Sequence, residues 1–168
     1  MSLTRDRARF VILASQCNAP ITRALVRGAT DVLRRHRIAA RRIRLVWVPG
    51  AFELPVVAAR IAASRRPPEA IIALGAILQG ETIQYEVLAH AVAGSLAHVA
   101  VRSRIPVTCG VVVARTLAQA KARAGLPRSG RGRAVGNRGA EAALAALAVL
   151  RLFDESHRRR GQSVVHTD

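Results

Sequence analysis

The chain has 168 residues, of which 51% are apolar and only 3% aromatic, and a formal net charge of +17. This length fits one domain with a substantial core of Ala, Val, Leu and Ile. No apolar run approaches the roughly 20 residues that span a bilayer, and no signal-peptide h-region precedes the first strand. The two cysteines have neither metal-ligand nor disulfide spacing. We therefore expect a cytoplasmic protein without a membrane segment or a metal site.

The positive charge comes almost entirely from arginine, because Lys121 is the only lysine. The arginines cluster at residues 34–44, 123–138 and 158–160. Such clusters could bind nucleic acid or acidic cargo. However, no aromatic residues are interleaved with them, as a base-stacking surface would require. We interpret the charge as a coding bias towards arginine that also steers small anionic ligands, and keep a polyanion surface as the alternative.

The N-terminal part of the chain predicts strands and helices in alternation. Phe10–Ala14 is a short apolar run typical of a buried strand, and a polar loop at 15–19 follows. A helix extends from there through Leu33, with apolar residues at helical spacing. The second strand is Ile43–Val48, and a Pro-Gly pair separates it from a second helix over Ala51–Ser64.

The central stretch Gly75–Glu86, GAILQGETIQYE, joins a strand to a helix. The preceding run Ala70–Leu74 is continuously apolar, which is typical of a strand buried on both faces. Gly80 permits a backbone conformation that other residues resist, and Thr82 can cap the next helix. A glycine loop before a helix N-terminus presents free N–H groups to an anion. The stretch is therefore either a phosphate site or an ordinary strand-to-helix turn.

Three further elements follow this stretch. A third helix spans about 85–102, with Leu88, Val92, Leu96 and Val99 among its inward residues. Val107–Val113 is the fourth strand. Pro106 marks the start of this strand.

The C-terminal part predicts two helices separated by a long loop. Thr116 caps a short helix that Gly125 ends. Residues 126–135 form a loop rich in Arg and Gly, and Asn137 caps the last helix. The last helix has four predicted inward residues: Ala140, Leu144, Leu147 and Ala148. Residues 156–168 form a charged, frayed tail.

The order β-α-β-α-β-α-β-α-α predicts a three-layer αβα sandwich with a four-stranded parallel sheet. It forms a single domain over residues 1–168, with a core at about 9–155. Ligands of such sheets bind beyond the carboxyl ends of the strands. Loops 15–18, 49–53 and 79–82, and one beginning near Ala114, reach that edge, which favours a shared anion site. No dinucleotide, P-loop or nucleophile-elbow motif occurs in the chain.

Four motifs, in this order, resemble those of the lumazine synthase family. They are VPGAFELP at 48–55, LGA at 74–76 with GET at 80–82, RAG at 123–125 and GNRG at 136–139. The similarity runs from about Arg9 to Phe153. It implies a flavodoxin-like sheet and condensation of 5-amino-6-(D-ribitylamino)uracil with 3,4-dihydroxy-2-butanone 4-phosphate, a sugar phosphate. The implied product is 6,7-dimethyl-8-ribityllumazine, the riboflavin precursor.

The resemblance also implies how the site is built. It requires no cofactor or metal, and it lies between neighbouring subunits of a homopentamer, twelve of which can form a shell. Residues 51–53 would hold the ribityl chain, 76–78 the pyrimidine and 80–82 the phosphate, which Arg123 of the adjacent subunit would clamp. Glu53 would bind the ribityl hydroxyls or, alternatively, only complement a helix dipole. The expected substrate-binding residues are Cys17, Asn18, Ala51, Phe52, Glu53, Ala76, Ile77, Leu78, Gly80, Glu81, Thr82, Cys109, Arg123 and Arg138.

The chain departs from the family pattern at four places. Gln84 replaces the histidine that transfers protons, so the expected catalytic residues are Arg123 and a Gln84 that only orients a water or a hydroxyl. Cys17 and Cys109 replace two aromatics at the pyrimidine. Gln79 replaces an arginine beside the phosphate, and the loop at 126–135 is longer. Arg138 stands in place of the usual lysine and keeps its charge. These departures predict a slow synthase.

Two other functions stay open from the sequence. One is a catalytically impaired paralogue that keeps the pentameric or shell assembly and uses its arginines to bind polyanions. The other is a related enzyme for another phosphorylated ketone or amine. The latter would explain why Gly80, Thr82 and Arg123 are kept while the pyrimidine side is altered.

Overall fold

A computed structural model describes residues 10–127 and 136–162 of the chain. The elements, in chain order, are β1 (Phe10–Ser15), α1 (Ala19–Arg35), β2 (Ile43–Val48), α2 (Leu54–Ala62), β3 (Ala70–Leu78), α3 (Gln84–Ser103), β4 (Val107–Ala114), α4 (Leu117–Arg123) and α5 (Arg138–Gln162). A 3-10 turn, Ala40–Arg42, precedes β2. The predicted alternation of strands and helices is confirmed. The predictions for residues 1–9, most of the 126–135 loop and the last residues of the tail lie outside the described residues.

The four strands form one parallel sheet in the order β2-β1-β3-β4. Phe10 pairs with both Ile43 and Ala70, and Ile71 pairs with Val107, so the strands start close to one level. The starting edge is called the amino edge below, and the opposite edge the carboxyl edge. Helices α1, α4 and α5 cover one face of the sheet, and α2 and α3 cover the other. This confirms the three-layer αβα fold class.

Both faces of the central strands are buried, as their continuous apolar sequences predicted. In β1, the side chains of Phe10 and Ile12 enter the core under α1 and α5. Val11 and Leu13, which alternate with them, enter the core under α2 and α3. The strand therefore has no solvated face, and the same alternation continues along β3.

The inward face of α5 differs from the predicted one. Leu144 is 47% exposed and Ala148 is exposed, although Ala140 and Leu147 do pack against the core. The buried residues of this helix are alanines: Ala142, Ala143 and Ala146. A face of small side chains lets α5 lie close to α1, and a Cβ added at Gly139 would collide with the backbone carbonyl of Leu25. Close backbone approach, rather than large apolar side chains, decides which face is inward.

Two element boundaries also differ from prediction. Helix α2 begins at Leu54 rather than residue 51, because residues 50–53 form a separate turn in which the Gly50 N–H donates to Glu53 Oε2 at 2.8 Å. Helix α5 continues past residue 156 to Gln162, where a frayed tail was expected. Within the described part of the chain, no helix combines the length and the apolar character needed to cross a membrane.

The predicted caps of the last two helices are confirmed. Thr116 Oγ1 accepts from the Gln119 N–H at 3.2 Å, and Gln119 Oε1 accepts from the Thr116 N–H at 3.2 Å. Asn137 Oδ1 accepts from the Ala140 N–H at 3.0 Å. Gly125, with φ of 69°, follows α4 in the left-handed region that favours glycine at a helix end.

Candidate functional site

A cavity of about 380 Å³ opens at the carboxyl edge of the sheet. The end of β3 forms its floor, the loops after β1 and β2 form one wall, and the start of α3 forms the other. The sequence-predicted residues that line it are Cys17, Asn18, Ala51, Phe52, Glu53, Ala76, Ile77, Leu78, Gly80, Thr82 and Gln84. The loops converge because parallel strands all end at this edge.

Asn18 connects the loop after β1 to the floor of the cavity. Its backbone is left-handed, with φ of 54°, a conformation that Asn tolerates better than most residues. From there, Asn18 Nδ2 donates to the Ala76 carbonyl oxygen at 2.8 Å. This bond fixes the loop, and it means that the Ala76 carbonyl already has a partner. The exposed thiol of Cys17 lies on the same loop.

The turn after β2 holds Glu53 at the base of α2. Its Oε2 accepts from the Gly50 N–H at 2.8 Å, whereas Oε1 has no hydrogen-bond partner among the described residues. Glu53 is also the N-cap residue of α2, so its charge complements the helix dipole. Phe52 beside it is 65% exposed at the rim of the cavity. The turn thus offers one carboxylate oxygen and one aromatic ring to a ligand.

Gly80 does not have the backbone conformation that the sequence suggested. Its φ lies outside the left-handed region, and a Cβ at this position would have no heavy atom within 4 Å. The expectation that the turn needs glycine for its shape was wrong. The glycine instead leaves open space, which would let a ligand approach the backbone closely.

The loop at residues 79–83 presents N–H groups to this open space. No acceptor in the described ranges, 10–127 and 136–162, takes a hydrogen bond from the N–H of Gly80, Glu81 or Thr82. The N-cap of α3 is Ile83 rather than Thr82, and Thr82 Oγ1 accepts a long 3.4 Å bond from the Gln84 N–H. Free N–H groups that precede a helix N-terminus can bind an anion.

A smaller cavity of about 270 Å³ adjoins the first and shares Gly80, Thr82 and Tyr85 with it. Glu81, Glu86 and Arg115 line only this smaller cavity. The hydroxyl of Tyr85 donates to Glu86 Oε1 at 2.7 Å. This hydrogen bond is the main cause that raises the pKa of Tyr85, and desolvation and the negative charge of Glu86 add to it. The nearby Arg115 acts on that pKa in the opposite direction.

Three sequence-predicted residues lie away from both cavities. Arg123 Nη2 and Arg138 Nη1 both contact Glu141 Oε2, at 3.1 and 3.0 Å. The side chains of Arg123, Arg138 and Glu141 are substantially exposed, at 39–44%. Cys109 lies within β4, where it pairs with Ala73 and packs against the core under α3. The chain by itself therefore does not bring these residues to the cavity.

Asn137 joins the two motifs that lie away from the cavity. Its Nδ2 donates to the Ala124 carbonyl oxygen at 2.7 Å and to the Ala24 carbonyl oxygen at 3.0 Å. The RAG and GNRG motifs consequently form one unit at the junction of α4 and α5. The four motifs thus form two groups: one at the cavity and one at this junction.

The sequence analysis missed several residues of this region. Tyr85 and Leu88 line the larger cavity, one at the start of α3 and the other a turn after Gln84. Arg115 is the first residue after β4 and so lies at a strand end, where parallel sheets bind their ligands. Glu141 lies three residues after Arg138 on α5, the spacing at which helical side chains meet.

The chemistry available at this edge is that of binding and orientation. Backbone N–H groups, a carboxylate oxygen and an amide surround an otherwise mainly apolar cavity. Among the described residues, no group of three or more His, Cys, Asp or Glu side chains is arranged to hold a metal ion. The cavity can place a flat apolar group beside an anion, and its hydroxyl, thiol and amide groups can position water.

Comparisons with known proteins give a consistent result. Residues 7–154 match the family model described as 6,7-dimethyl-8-ribityllumazine synthase. A protein of that name from Kosmotoga olearia is 37% identical over 144 residues, which cover 86% of this chain and 87% of the relative. Another of that name, from Leuconostoc mesenteroides subsp. mesenteroides, is 35% identical over 153 residues, or 91% of this chain and 93% of the relative.

Proposed function

Because the chain belongs to the 6,7-dimethyl-8-ribityllumazine synthase family of riboflavin-biosynthesis transferases, we propose that it catalyses that family's condensation. The substrates are 5-amino-6-(D-ribitylamino)uracil and 3,4-dihydroxy-2-butanone 4-phosphate, and the lumazine is the product. The observation that carries the proposal is the convergence of VPGAFELP, LGA and GET on one cavity. VPGAFELP, at residues 48–55, is separate in the sequence from the other two motifs at 74–82, and a common ligand accounts for their meeting.

The phosphate of the second substrate binds at the loop of residues 79–83. Two features support this assignment: the unpartnered N–H groups of residues 80–82 and the open space that Gly80 leaves. A helix N-terminus follows directly and favours negative charge. The loop would also hold the inorganic phosphate that is eliminated during the reaction.

The pyrimidine and the ribityl chain occupy the rest of the cavity. The ribityl hydroxyls donate to the free Oε1 of Glu53, which the bond from Gly50 holds in position. The pyrimidine lies along the end of β3, where the backbone groups of Ile77 and Leu78 can bind its edges. The second substrate then lies between the amine and the phosphate loop, and this proximity is the main source of rate enhancement.

A neighbouring copy of the chain completes the site. Among the described residues, the lining of the larger cavity has no arginine and that of the smaller one has Arg115, whereas Arg123 and Arg138 lie together at Glu141. In a pentamer, Arg123 of one subunit reaches the phosphate held by the next, where its planar fork pairs with phosphate oxygens. The exposed apolar side chains of Phe52, Val56, Ile83 and Val87, which flank the cavity, become buried in that contact.

Gln84 makes the proposed reaction slow compared with one that has an acid–base residue at this position. Proton transfer by a positioned side chain contributes about 10²–10⁴-fold to the rate, and an amide cannot supply it. Gln84 orients a water molecule that carries the proton instead. Positioning alone can contribute up to roughly 7–11 kcal/mol, which leaves room for real catalysis without that residue.

A two-substrate assay tests this function. Purified protein mixed with both substrates should form the fluorescent lumazine faster than the spontaneous reaction does, and omission of either substrate should abolish the signal. A rate equal to the spontaneous one would contradict the proposal. An inactive protein that still formed large assemblies would instead be the catalytically impaired assembly protein. Gln84 and Cys17 in the cavity favour that second function, because they replace the family's histidine and an aromatic residue.

A further inference from the structure

Arginines that are scattered along the sequence come together at the amino edge of the sheet, opposite the cavity. The sheet is parallel, so α1, α2 and α3 each run back and end at this edge. The register places the starts of β1, β2 and β3 side by side, and Ile71 N–H donates to the Pro106 carbonyl oxygen just before β4. The segments 34–44, 60–66 and 102–104 therefore share one end of the molecule.

This surface is called the basic end. Its arginines are exposed: Arg34, Arg35, Arg37, Arg41, Arg44, Arg65, Arg66, Arg102 and Arg104. The acidic residues of the same region are Asp31 and Glu69, with Asp154 and Glu155 farther along α5. The ion pairs of Glu141 with Arg123 and Arg138 lie at the carboxyl edge instead. The basic end is consequently strongly positive.

Helix stabilisation accounts for only part of this cluster. Arg34, Arg35 and Arg102 lie in the last turns of α1 and α3, where a cation complements the helix dipole. Arg41, Arg65 and Arg66 lie in the connections beyond the C-caps of α1 and α2, outside the last helical turn, where that reason does not apply. The connections contribute as much of the charge as the helix ends do.

Attraction of the substrate phosphate does not account for the basic end either. Strands of six to nine residues separate it from the cavity, a distance of about 20–30 Å at roughly 3.3 Å per residue. At physiological ionic strength, the interaction of exposed charges is screened beyond about 8 Å. Steering of the substrate therefore does not explain the charge at this end.

We propose that the basic end binds the phosphate backbone of a nucleic acid without sequence preference. Guanidinium groups pair with phosphate oxygens through two parallel hydrogen bonds, and an extended, polar, positive surface is typical of nucleic-acid interfaces. No aromatic residue occurs within segments 34–44, 60–66 or 102–104. Contacts are accordingly made to phosphates rather than to bases.

An acidic protein fits this surface less well. The central part of a protein–protein interface is enriched in aromatic and other apolar side chains. No Phe, Trp or Tyr lies within these segments; the exposed apolar side chains next to them are Leu45 and Val101, and Phe153 on α5 is 41% exposed. A run of separate cations with little apolar surface matches a regular array of phosphates better than it matches a folded partner.

Binding of fluorescently labelled 20-base-pair RNA and DNA duplexes of random sequence, followed by anisotropy, tests the proposal. The assembled wild-type protein should bind both, with an affinity that falls steeply as salt is raised. Arg41→Gln/Arg65→Gln should weaken binding about tenfold or more and reduce the log–log salt slope by about 2. Thermal unfolding of each variant checks that the fold is intact.

A matched control removes the same charge elsewhere on the surface. Arg23 and Arg27 are exposed on the first half of α1, towards the carboxyl edge. Arg23→Gln/Arg27→Gln should leave the affinity within about twofold and the slope nearly unchanged. Equal weakening by both double variants would show that only net charge matters and would overturn the proposal. Tighter binding of polyglutamate than of either duplex would identify an acidic partner, and no binding at physiological salt would also overturn it.

Discussion

Gln84 lines the cavity beside Tyr85, where its amide can accept and donate hydrogen bonds but cannot exchange a proton near neutral pH. Replacing it restores a titratable group at the same place. Gln84→His should raise kcat about 10-fold or more, because a positioned imidazole can act as general acid and base. KM should change little, since binding rests on other residues. Steady-state assays of lumazine formation measure both constants, with Gln84→Asn as the control that should show no gain.

Tyr85 gives a direct optical test of the smaller cavity, because it is the only tyrosine of the chain. Its hydrogen bond to Glu86 raises its pKa, so phenolate absorbance should appear only above the ordinary titration range. Glu86→Gln removes the carboxylate and should lower the midpoint. If the midpoint of the variant stayed where it is in the wild type, the hydrogen bond would not be the cause.

The same shift fixes the sign of a stability effect. The folded state holds the Tyr85 proton more tightly than the unfolded state does, so this contribution is present below the unfolded pKa of about 10. It is lost as pH rises through the higher, folded value. Through this group, stability therefore depends on pH only in the alkaline range, and near neutrality the contribution is constant.

Gly80 permits a test of phosphate binding with little risk to the fold, since a Cβ there would meet no atom within 4 Å. Gly80→Asp puts a carboxylate beside the proposed phosphate position and should raise KM for the phosphorylated substrate at least tenfold through charge repulsion. Gly80→Asn has the same shape without the charge and serves as its control. Equal effects of the two substitutions would mean that space, not charge, is decisive.

Single residues were predicted well where their role is local and poorly where it depends on tertiary contacts. Thr116 and Asn137 were identified as caps because a cap is read from a few adjacent residues. The conformation of Gly80 and the exposure of Leu144 were wrong, since both depend on how elements meet. The contact of Arg123 with Glu141 joins distant parts of the chain, and spacing alone does not reveal it.

The contact between α1 and α5 depends on small residues at the crossing. Cβ atoms added at Gly28 and Gly139 would collide with the Asn137 side chain and the Leu25 carbonyl, respectively. Gly139→Ala should lower the free energy of unfolding by about 1–3 kcal/mol or more, because the two backbones must move apart. Denaturant titration measures this change.

A glycine in an exposed helical position provides the control for that substitution. Gly94 lies within α3, and a Cβ there would contact nothing within 4 Å. Gly94→Ala should instead stabilise the protein by about 0.5–1 kcal/mol, because alanine loses less backbone entropy in a helix. Destabilisation by both substitutions would show that the crossing of α1 and α5 is not specially tight.

The order and type of the elements were predictable because each carries its own pattern. Continuous apolar runs identified the strands, and helical spacing identified the long helices. The start of α2 was not predictable from spacing, because the contact of Glu53 with Gly50 forms a turn within a sequence that otherwise suits a helix. The predicted inward face of α5 was partly wrong, because Leu144 and Ala148 are exposed while Ala142, Ala143 and Ala146 are buried against α1 and the sheet.

The cavity and the basic end lie at opposite edges of the sheet. The carboxyl edge holds the cavity, while the exposed arginines of the basic end lie at the amino edge. The convergence of strand-end loops was predictable from the parallel topology alone. The meeting of separate arginine clusters was not inferred from the sequence, although it follows from the same topology, because each cluster was considered by itself.

The division of the motifs into two groups supports the proposal that a cavity from one subunit and Arg123 from another form one site. Arg123→Gln should lower kcat/KM at least 100-fold, since a charge-assisted bidentate contact to phosphate is lost. Its own fold should be nearly unaffected, because an exposed ion pair contributes only about 0–1 kcal/mol. Unfolding curves separate the two effects.

Coexpression of Gly80→Asp with Arg123→Gln tests the shared site, and the rate of lumazine formation in the mixed assemblies is measured. Each variant alone has a defect in every site. In a ring of randomly mixed subunits, about a quarter of the contacts join an intact cavity to an intact Arg123. With the phosphorylated substrate below its wild-type KM, we expect the mixture to recover about a quarter of the wild-type activity, while separately purified variants mixed without subunit exchange stay at about a tenth or less. No recovery in the coexpressed assemblies would contradict a site shared between subunits.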